Sequence, residues 1–289
     1  MGYGGYDYAA RQTRATASGL FDKSIDQVFK ARKIENGMNP LGLTIRESRD
    51  SAEHPNSIAI IIGLDETGSM GKIPFELIKN GLPTIVKTIN DAGEKDPQIM
   101  FLGIGDHKTD RAPLQVGQFE SNDEKLDKWL QDIYLEGNGG GNGGESYLLA
   151  WYLAAKHTSI DCFEKRNRKG ILFTVGDEPT HFDIPASRLK DLFGDGEYQN
   201  YTAKELLDLA KEKYDVYHIL ITETTMGTRP ETLNSWLKIL DKENIICVDS
   251  HLNVAKAIAS KIVNKIATKE TVANVASNII SNDVKIGEL

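Results

Sequence analysis

The chain is poor in cysteine: Cys162 and Cys247 are the only two in 289 residues. That count leaves no room for a disulfide framework and suits a reducing compartment. Long hydrophobic runs are also missing. The longest strongly apolar stretch, Ile58–Leu64, is far short of the ~20 residues that span a bilayer. The first residues, Met1-Gly-Tyr-Gly-Gly-Tyr6, have neither a basic nor an apolar region, so they do not read as a signal peptide. Gly2 does not open a myristoylation signal either, because Tyr6 stands where that signal wants Ser or Thr. Positive charge is not in excess: the net charge is −8. A general nucleic-acid or anionic-membrane binder is therefore disfavoured, since phosphate binding rests on clustered Lys and Arg. The location these absences predict is cytoplasmic.

The 40% apolar and 26% charged residues are the balance of a soluble globular protein, and the length accommodates one large α/β domain with extensions. No internal repeat is visible. Residues 1–20, rich in Gly, Tyr, Ala and Thr, show no clear period and read as an extended arm. Ser24 is placed to cap a short helix running to Arg32. Residues 41–56 form a polar lead-in. Apolar, β-branched runs then alternate with amphipathic stretches. Strands are expected at 57–64, 99–105, 114–119, 171–176, 215–221 and 244–248, and helices at 72–90, 122–133, 145–157, 203–213, 229–240 and 251–267. This alternation predicts a doubly wound α/β fold, a mostly parallel Rossmann-like sheet with helices on both faces. Leu114–Phe119 alternates apolar and polar residues, as a half-exposed edge strand does. Cys247, inside Ile245-Ile-Cys-Val248, reads as a core residue. The expected organisation is an N-terminal arm and short helix over 1–49, the main domain over 50–267, and a helical tail over 268–289.

The sharpest signal is Ile58-Ala-Ile-Ile-Ile-Gly-Leu-Asp65-Glu-Thr67-Gly-Ser69-Met-Gly71. An apolar strand ends in Asp65, and two hydroxyls follow at alternate positions. Gly68 and Gly71 permit a tight turn before a helix. A carboxylate and two hydroxyls converging at a sheet edge are hard oxygen donors, suited to Mg²⁺ or Mn²⁺ (or Ca²⁺) rather than Zn²⁺.

Asp65-x-Thr67-x-Ser69 resembles the Asp-x-Ser/Thr-x-Ser motif of the metal-ion-dependent adhesion site in von Willebrand factor A and integrin I-like domains. The family's later Asp, on the loop after the fourth strand, matches Asp177 in Gly-Ile-Leu-Phe-Thr-Val-Gly-Asp177. Its middle loop matches Glu136-Gly-Asn-Gly-Gly-Gly-Asn142-Gly-Gly-Glu145-Ser146. The resemblance covers roughly residues 57–250. It implies a metal held by Asp65, Thr67, Ser69, Glu145 and Asp177, with Asn142, Ser146 and Asp106 as further ligands or supporting groups. One departure is clear. Most of the family has a Thr in the middle loop, and this loop has none. Glu145 in that place is similar to the variant of integrin β-type domains. Its extra negative charge should tighten metal binding and weaken the pull on an acidic ligand. Similar proteins occur in bacteria and phages, beside an AAA+ ATPase or inside a larger assembly, which in a phage would be the virion. The function implied is metal-dependent protein binding, in which a partner's acidic side chain completes the coordination, with neither nucleic acid nor membrane as partner.

Competing motifs fail on spacing. A phosphate-binding loop needs Gly where Glu66 stands and a hydroxyl where Ile73 stands. A nucleophile elbow needs Gly at Thr67. Gly139-x-Gly141-x-x-Gly144 has the letters of a dinucleotide fingerprint, yet it follows an amphipathic stretch rather than a buried strand. Tyr147 and Trp151, four apart, read as a core face. A non-enzyme is expected. Two rivals stand beside it: a metal-dependent hydrolase using His107 or His181 as base, and an assembly subunit in which the metal staples the fold.

Overall fold

The computed structural model describes residues 4–137 and 143–266. Six strands build the central sheet: β1 (Ile58–Asp65), β2 (Pro97–Ile104), β3 (Leu114–Val116), β4 (Gly170–Gly176), β5 (Tyr214–Ile221) and β6 (Ile245–Val248). Their order is β6-β5-β4-β1-β2-β3. All neighbours are parallel except the edge pair β2–β3. This is the doubly wound, Rossmann-like arrangement that the alternating pattern predicts.

The apolar run of β1 follows from its place at the centre. Every residue from Ile58 to Asp65 is buried. Ile58, Ile60, Ile62 and Leu64 enter one core cluster, while Ala59 and Ile61 enter the other. Alternation of side chains across a strand sends successive residues into opposite layers, and here both layers are apolar. One layer holds Lys72–Glu76, Leu82–Asp91, Asp123–Gln131 and Val254–Ile266. The other holds Leu148–Lys156, Ala186–Phe193, Ala203–Lys213 and Pro230–Leu237. Leu148–Lys156 is apolar on all sides, as a helix must be between a sheet and a further helix.

The helix expected over 72–90 has a π-helical segment, Leu77–Gly81, in its middle. A Cβ on Gly81 would come within 3.0 Å of the Ala255 methyl. Glycine there lets Val254–Ile266 pack close.

Several expectations need correction. The stretch read as an extended arm contains the helix Tyr8–Ala17, capped by the Asp7 carboxylate on the Ala10 N–H at 2.9 Å. Its buried face consists of Arg11 and Ala15, so no large apolar residues mark the helical period. The helix after Ser24 is only Ile25–Val28. The polar lead-in includes Arg46–Ser48, which pairs in parallel with Thr158–Ile160. Ala186–Phe193 is a helix that was not anticipated. β3 is an edge strand but not half-exposed: Gln115 is buried and donates to the Tyr134 carbonyl at 2.8 Å. Cys247 is only partly buried, because β6 is the other edge of the sheet. The proposed tail helix beyond 266 lies outside the described residues. Among the described residues, no helix is long and apolar enough to cross a membrane.

Candidate functional site

The chain leaves β1 toward β2 on one side and leaves β4 toward β5 on the other. The crevice beyond the carboxyl ends of β1 and β4 is thus the topological switch point, where doubly wound folds bind ligands. Asp65 is the last residue of β1, and Asp177 directly follows β4.

Asp65 is fully buried. Its Oδ1 accepts the Thr67 N–H at 2.9 Å and the Thr67 hydroxyl at 2.6 Å. Its Oδ2 accepts the Tyr147 hydroxyl at 2.7 Å. Ser69 lies in the 3₁₀ turn Gly68–Gly71 that opens after Thr67. Tyr147 was expected in the core, and it is wholly buried there, but its hydroxyl also makes it part of the site. Two structural features hold it in place. Its ring lies edge-on to His218, which stacks on Trp236 with centroids 3.5 Å apart. Gly176 supplies the room: a Cβ at that position would stand 1.8 Å from the Tyr147 hydroxyl oxygen and 2.8 Å from Asp65 Oδ2.

Glu145 reaches the site from the middle loop. Its N–H donates to the Pro179 carbonyl at 2.9 Å, and its own carbonyl accepts the His181 N–H at 2.9 Å. The next residue, Ser146, donates its N–H to the Gly105 carbonyl at 3.1 Å. The pair is thereby fixed between the loops that follow β2 and β4. The Glu145 side chain is buried, and its Oε2 has no hydrogen-bond partner among the described residues. Asn142 lies outside the described residues.

The electrostatics are those of crowded carboxylates. Burial, opposed by the bonds from Thr67 and Tyr147 and reinforced by the charge of Asp177, pushes the Asp65 carboxyl up to about 7. Burial and then the charges of Asp65, Asp110, Glu178 and Asp106 push Glu145 much further up. Asp177 is raised by burial, against a hydrogen bond from Thr224. The strongest charges acting on each acid are therefore other acids, or none. Removing water from several carboxylates without a counter-charge favours protonation or a bound cation. The donor set of carboxylates and a hydroxyl fits a hard divalent cation.

Asp106 and Ser146 were expected to support this pocket. The Asp106 charge does act on Glu145, and both side chains also bond to neighbours on the loops after β2 and β4. Asp106 Oδ1 accepts from the Lys108 N–H at 2.9 Å and lies 2.6 Å from His181 Nε2, while its Oδ2 accepts the Thr109 hydroxyl at 3.0 Å. Ser146 Oγ accepts the His107 N–H at 2.7 Å and lies 2.8 Å from His107 Nδ1. Burial pushes His107 down to about 4, so its imidazole is neutral at physiological pH.

Glu66, next to Asp65, is a further buried acid that sequence reasoning passed over. Burial and then the charges of Asp65, Glu136 and Asp110 hold it well above the usual carboxylate range, and its Oε2 accepts from the Gln115 amide. A charged residue directly after a buried strand was the available signal.

No family model matches the chain, and no curated protein does. Among solved structures, the pilus adhesin SpaC from Lactobacillus rhamnosus GG in its open conformation is similar over 81% of this chain and 31% of that one, with 11% identity and a TM-score of 0.44. The proximal thread matrix protein 1 of the mussel byssus, with a zinc-occupied MIDAS motif, is similar over 73% of this chain and 48% of that one, with 14% identity and a TM-score of 0.44. The chain spans less than half the length of either. At such distances this chain's own residues have to carry the functional reading.

Proposed function

We propose that the chain is a divalent-cation-dependent protein-binding module whose ion is held by Asp65, Thr67, Ser69, Glu145 and Asp177. One observation carries this reading: the buried Glu145 Oε2 lacks a partner while the nearby charges are those of other carboxylates. An unpaired buried acid is costly, and a cation is the group that relieves it. Hard oxygen donors favour Mg²⁺, with Mn²⁺ or Ca²⁺ as alternatives.

The bound ion would supply a positive centre to which an acidic side chain of the partner attaches. Thr67 and Tyr147 orient the Asp65 carboxylate. Glu145 sets the residual charge: as a carboxylate it lowers the pull on an incoming acid, and its displacement would raise that pull. The expectation of a larger assembly or an AAA+ ATPase as partner rests on the family resemblance alone, as does a virion location, while a cytoplasmic one rests on the scarcity of cysteine. The bounds of the N-terminal segment, main domain and tail remain proposed at 1–49, 50–267 and 268–289.

The test is capture from an extract of the native host on immobilised chain. Captured protein should stay bound in Mg²⁺, leave on chelation and be missing with Asp65→Asn, while circular dichroism of the chain stays unchanged. Retention in chelator would sink the reading. Loss of the folded signal in chelator would instead make the ion a staple of the fold. Metal-dependent turnover of a generic phosphoester, abolished by replacing His107 or His181, would favour a hydrolase.

A further inference from the structure

A second group of ligand-type side chains stands apart from the five residues assigned above. Asp106, His107 and His181 are 0%, 3% and 7% exposed, and one ligand atom from each lies within 4.8 Å of the others. His181 lies 75 residues along the chain from Asp106, but the fold brings it beside the adjacent Asp106 and His107. Asp106 and His107 sit on the loop after β2 and His181 on the loop after β4, and the Glu145–Ser146 segment bonds to both.

The surroundings have the features of a built site. Ser146 Oγ engages His107 at both its N–H and Nδ1. The Nε2 is then the ring nitrogen left for a ligand, and a hydrogen bond on the other nitrogen is how metal-binding histidines are usually oriented. Arg188 Nε donates to the His107 carbonyl at 2.9 Å and holds that loop from the outside. His181 Nε2 and Asp106 Oδ1 are 2.6 Å apart, within hydrogen-bond distance. Two ligands of a tetrahedral zinc ion, each ~2.0 Å from it, sit about 3.3 Å apart. Side-chain rotations that bring the three ligand atoms from within 4.8 Å of one another to that spacing would exchange this hydrogen bond for a metal. His107 also lines a groove of about 510 Å³ together with Lys108, Arg188 and Asn200.

We propose that Asp106, His107 and His181 form a second metal site, distinct from the carboxylate pocket, for a transition-metal dication of the zinc class. Two imidazoles and one carboxylate make a borderline donor set that prefers such ions over Mg²⁺. The bound ion would clasp the loop after β2 to the loop after β4 on either side of Glu145, and so fix the frame of the first site. This inference stands independently of the protein-binding reading, because it uses none of the five residues assigned there.

The experiment uses the full chain stripped of metal and kept in saturating Mg²⁺. Co²⁺ titration should give one equivalent with visible ligand-field absorption. His107→Gln and His181→Gln should each weaken that binding at least tenfold, and Asp65→Asn should leave the spectrum unchanged. X-ray absorption of the zinc-loaded parent supplies a readout that does not depend on variants folding, and two imidazole nitrogens should appear in the first shell. No Co²⁺ binding, an all-oxygen zinc shell, or bands lost in Asp65→Asn and kept in the histidine variants would each overturn the proposal.

Discussion

Asp65 is fully buried and Asp127 mostly so, with 17% of its side chain exposed, and the chain treats the two carboxylates differently. Asp127 Oδ1 receives Arg11 Nε at 3.0 Å and Nη2 at 2.8 Å, and the Arg11 side chain is only 2% exposed. The counter-charge is built into the fold. Asp65 is at least as buried, but it receives only hydroxyls and an N–H, and the foremost charge acting on it is that of Asp177. A charge matched from within is part of the architecture. A charge left unmatched at a sheet's switch point marks a place for something from outside.

The largest effect should fall on the matched pair. Arg11→Leu leaves the mostly buried Asp127 without its partner; breaking a fully buried pair costs about 3–5 kcal/mol, and the partial exposure of Asp127 puts the expected loss near the lower end, about 3 kcal/mol. Denaturant unfolding should show that loss, while metal affinity stays at the parent value. A variant with unchanged stability would mean that the N-terminal helix is not held by this pair.

Next comes pH, read at the unmatched site: burial raises both carboxyls, Asp127 against the lowering charge of Arg11, and only the Asp65 response should be removed by Mg²⁺. The folded-state pKa of Asp65 lies above its unfolded value. Its contribution is therefore fully present below the unfolded value near 4 and is lost as pH rises through about 7. In chelator, stability should fall over this window, by about 1.4 kcal/mol per pH unit at the steepest for one proton. Saturating Mg²⁺ should remove the fall, because ligation favours the ionised carboxylates and metal affinity itself rises with pH. Melts in chelator that are flat or rising from pH 5 to about 8 would contradict the unmatched-charge reading.

Gly176→Ala should cost less, about 1–3 kcal/mol, as overpacking usually does. The added methyl occupies the space of the Tyr147 hydroxyl, so metal binding should weaken along with the melting temperature. The smallest change is Tyr147→Phe, which removes one hydrogen bond worth about 1 kcal/mol. Calorimetry should show a several-fold change in metal affinity with the fold intact. No change would mean that Tyr147 serves the core alone.

The central strands were legible because burial on both faces demands an unbroken apolar run such as Ile58–Leu64. The end of β1 was legible for the opposite reason: Asp65, Thr67 and Ser69 break that run where a core would not tolerate them. The roles of Arg11 and of the Tyr147 hydroxyl escaped notice because each residue resembles something ordinary. A buried Arg reads as a surface residue in an amphipathic count, and a tyrosine in an apolar helix reads as packing. The approach of His107 to His181 was hidden by sequence separation, since only the sheet order brings their loops together. Gly176 carries meaning only once Tyr147 is seen to need its space.

The most direct test of the unmatched charge is calorimetric titration of Mg²⁺ into the metal-free parent and into Asp65→Asn. The parent should bind one ion. The variant should bind none at that site and remain folded, with chelator-state stability at pH 8 equal to or above the parent's, because a buried charge has been removed. Parent-like Mg²⁺ affinity in Asp65→Asn would show that the carboxylate pocket at the ends of β1 and β4 is not where the ion binds.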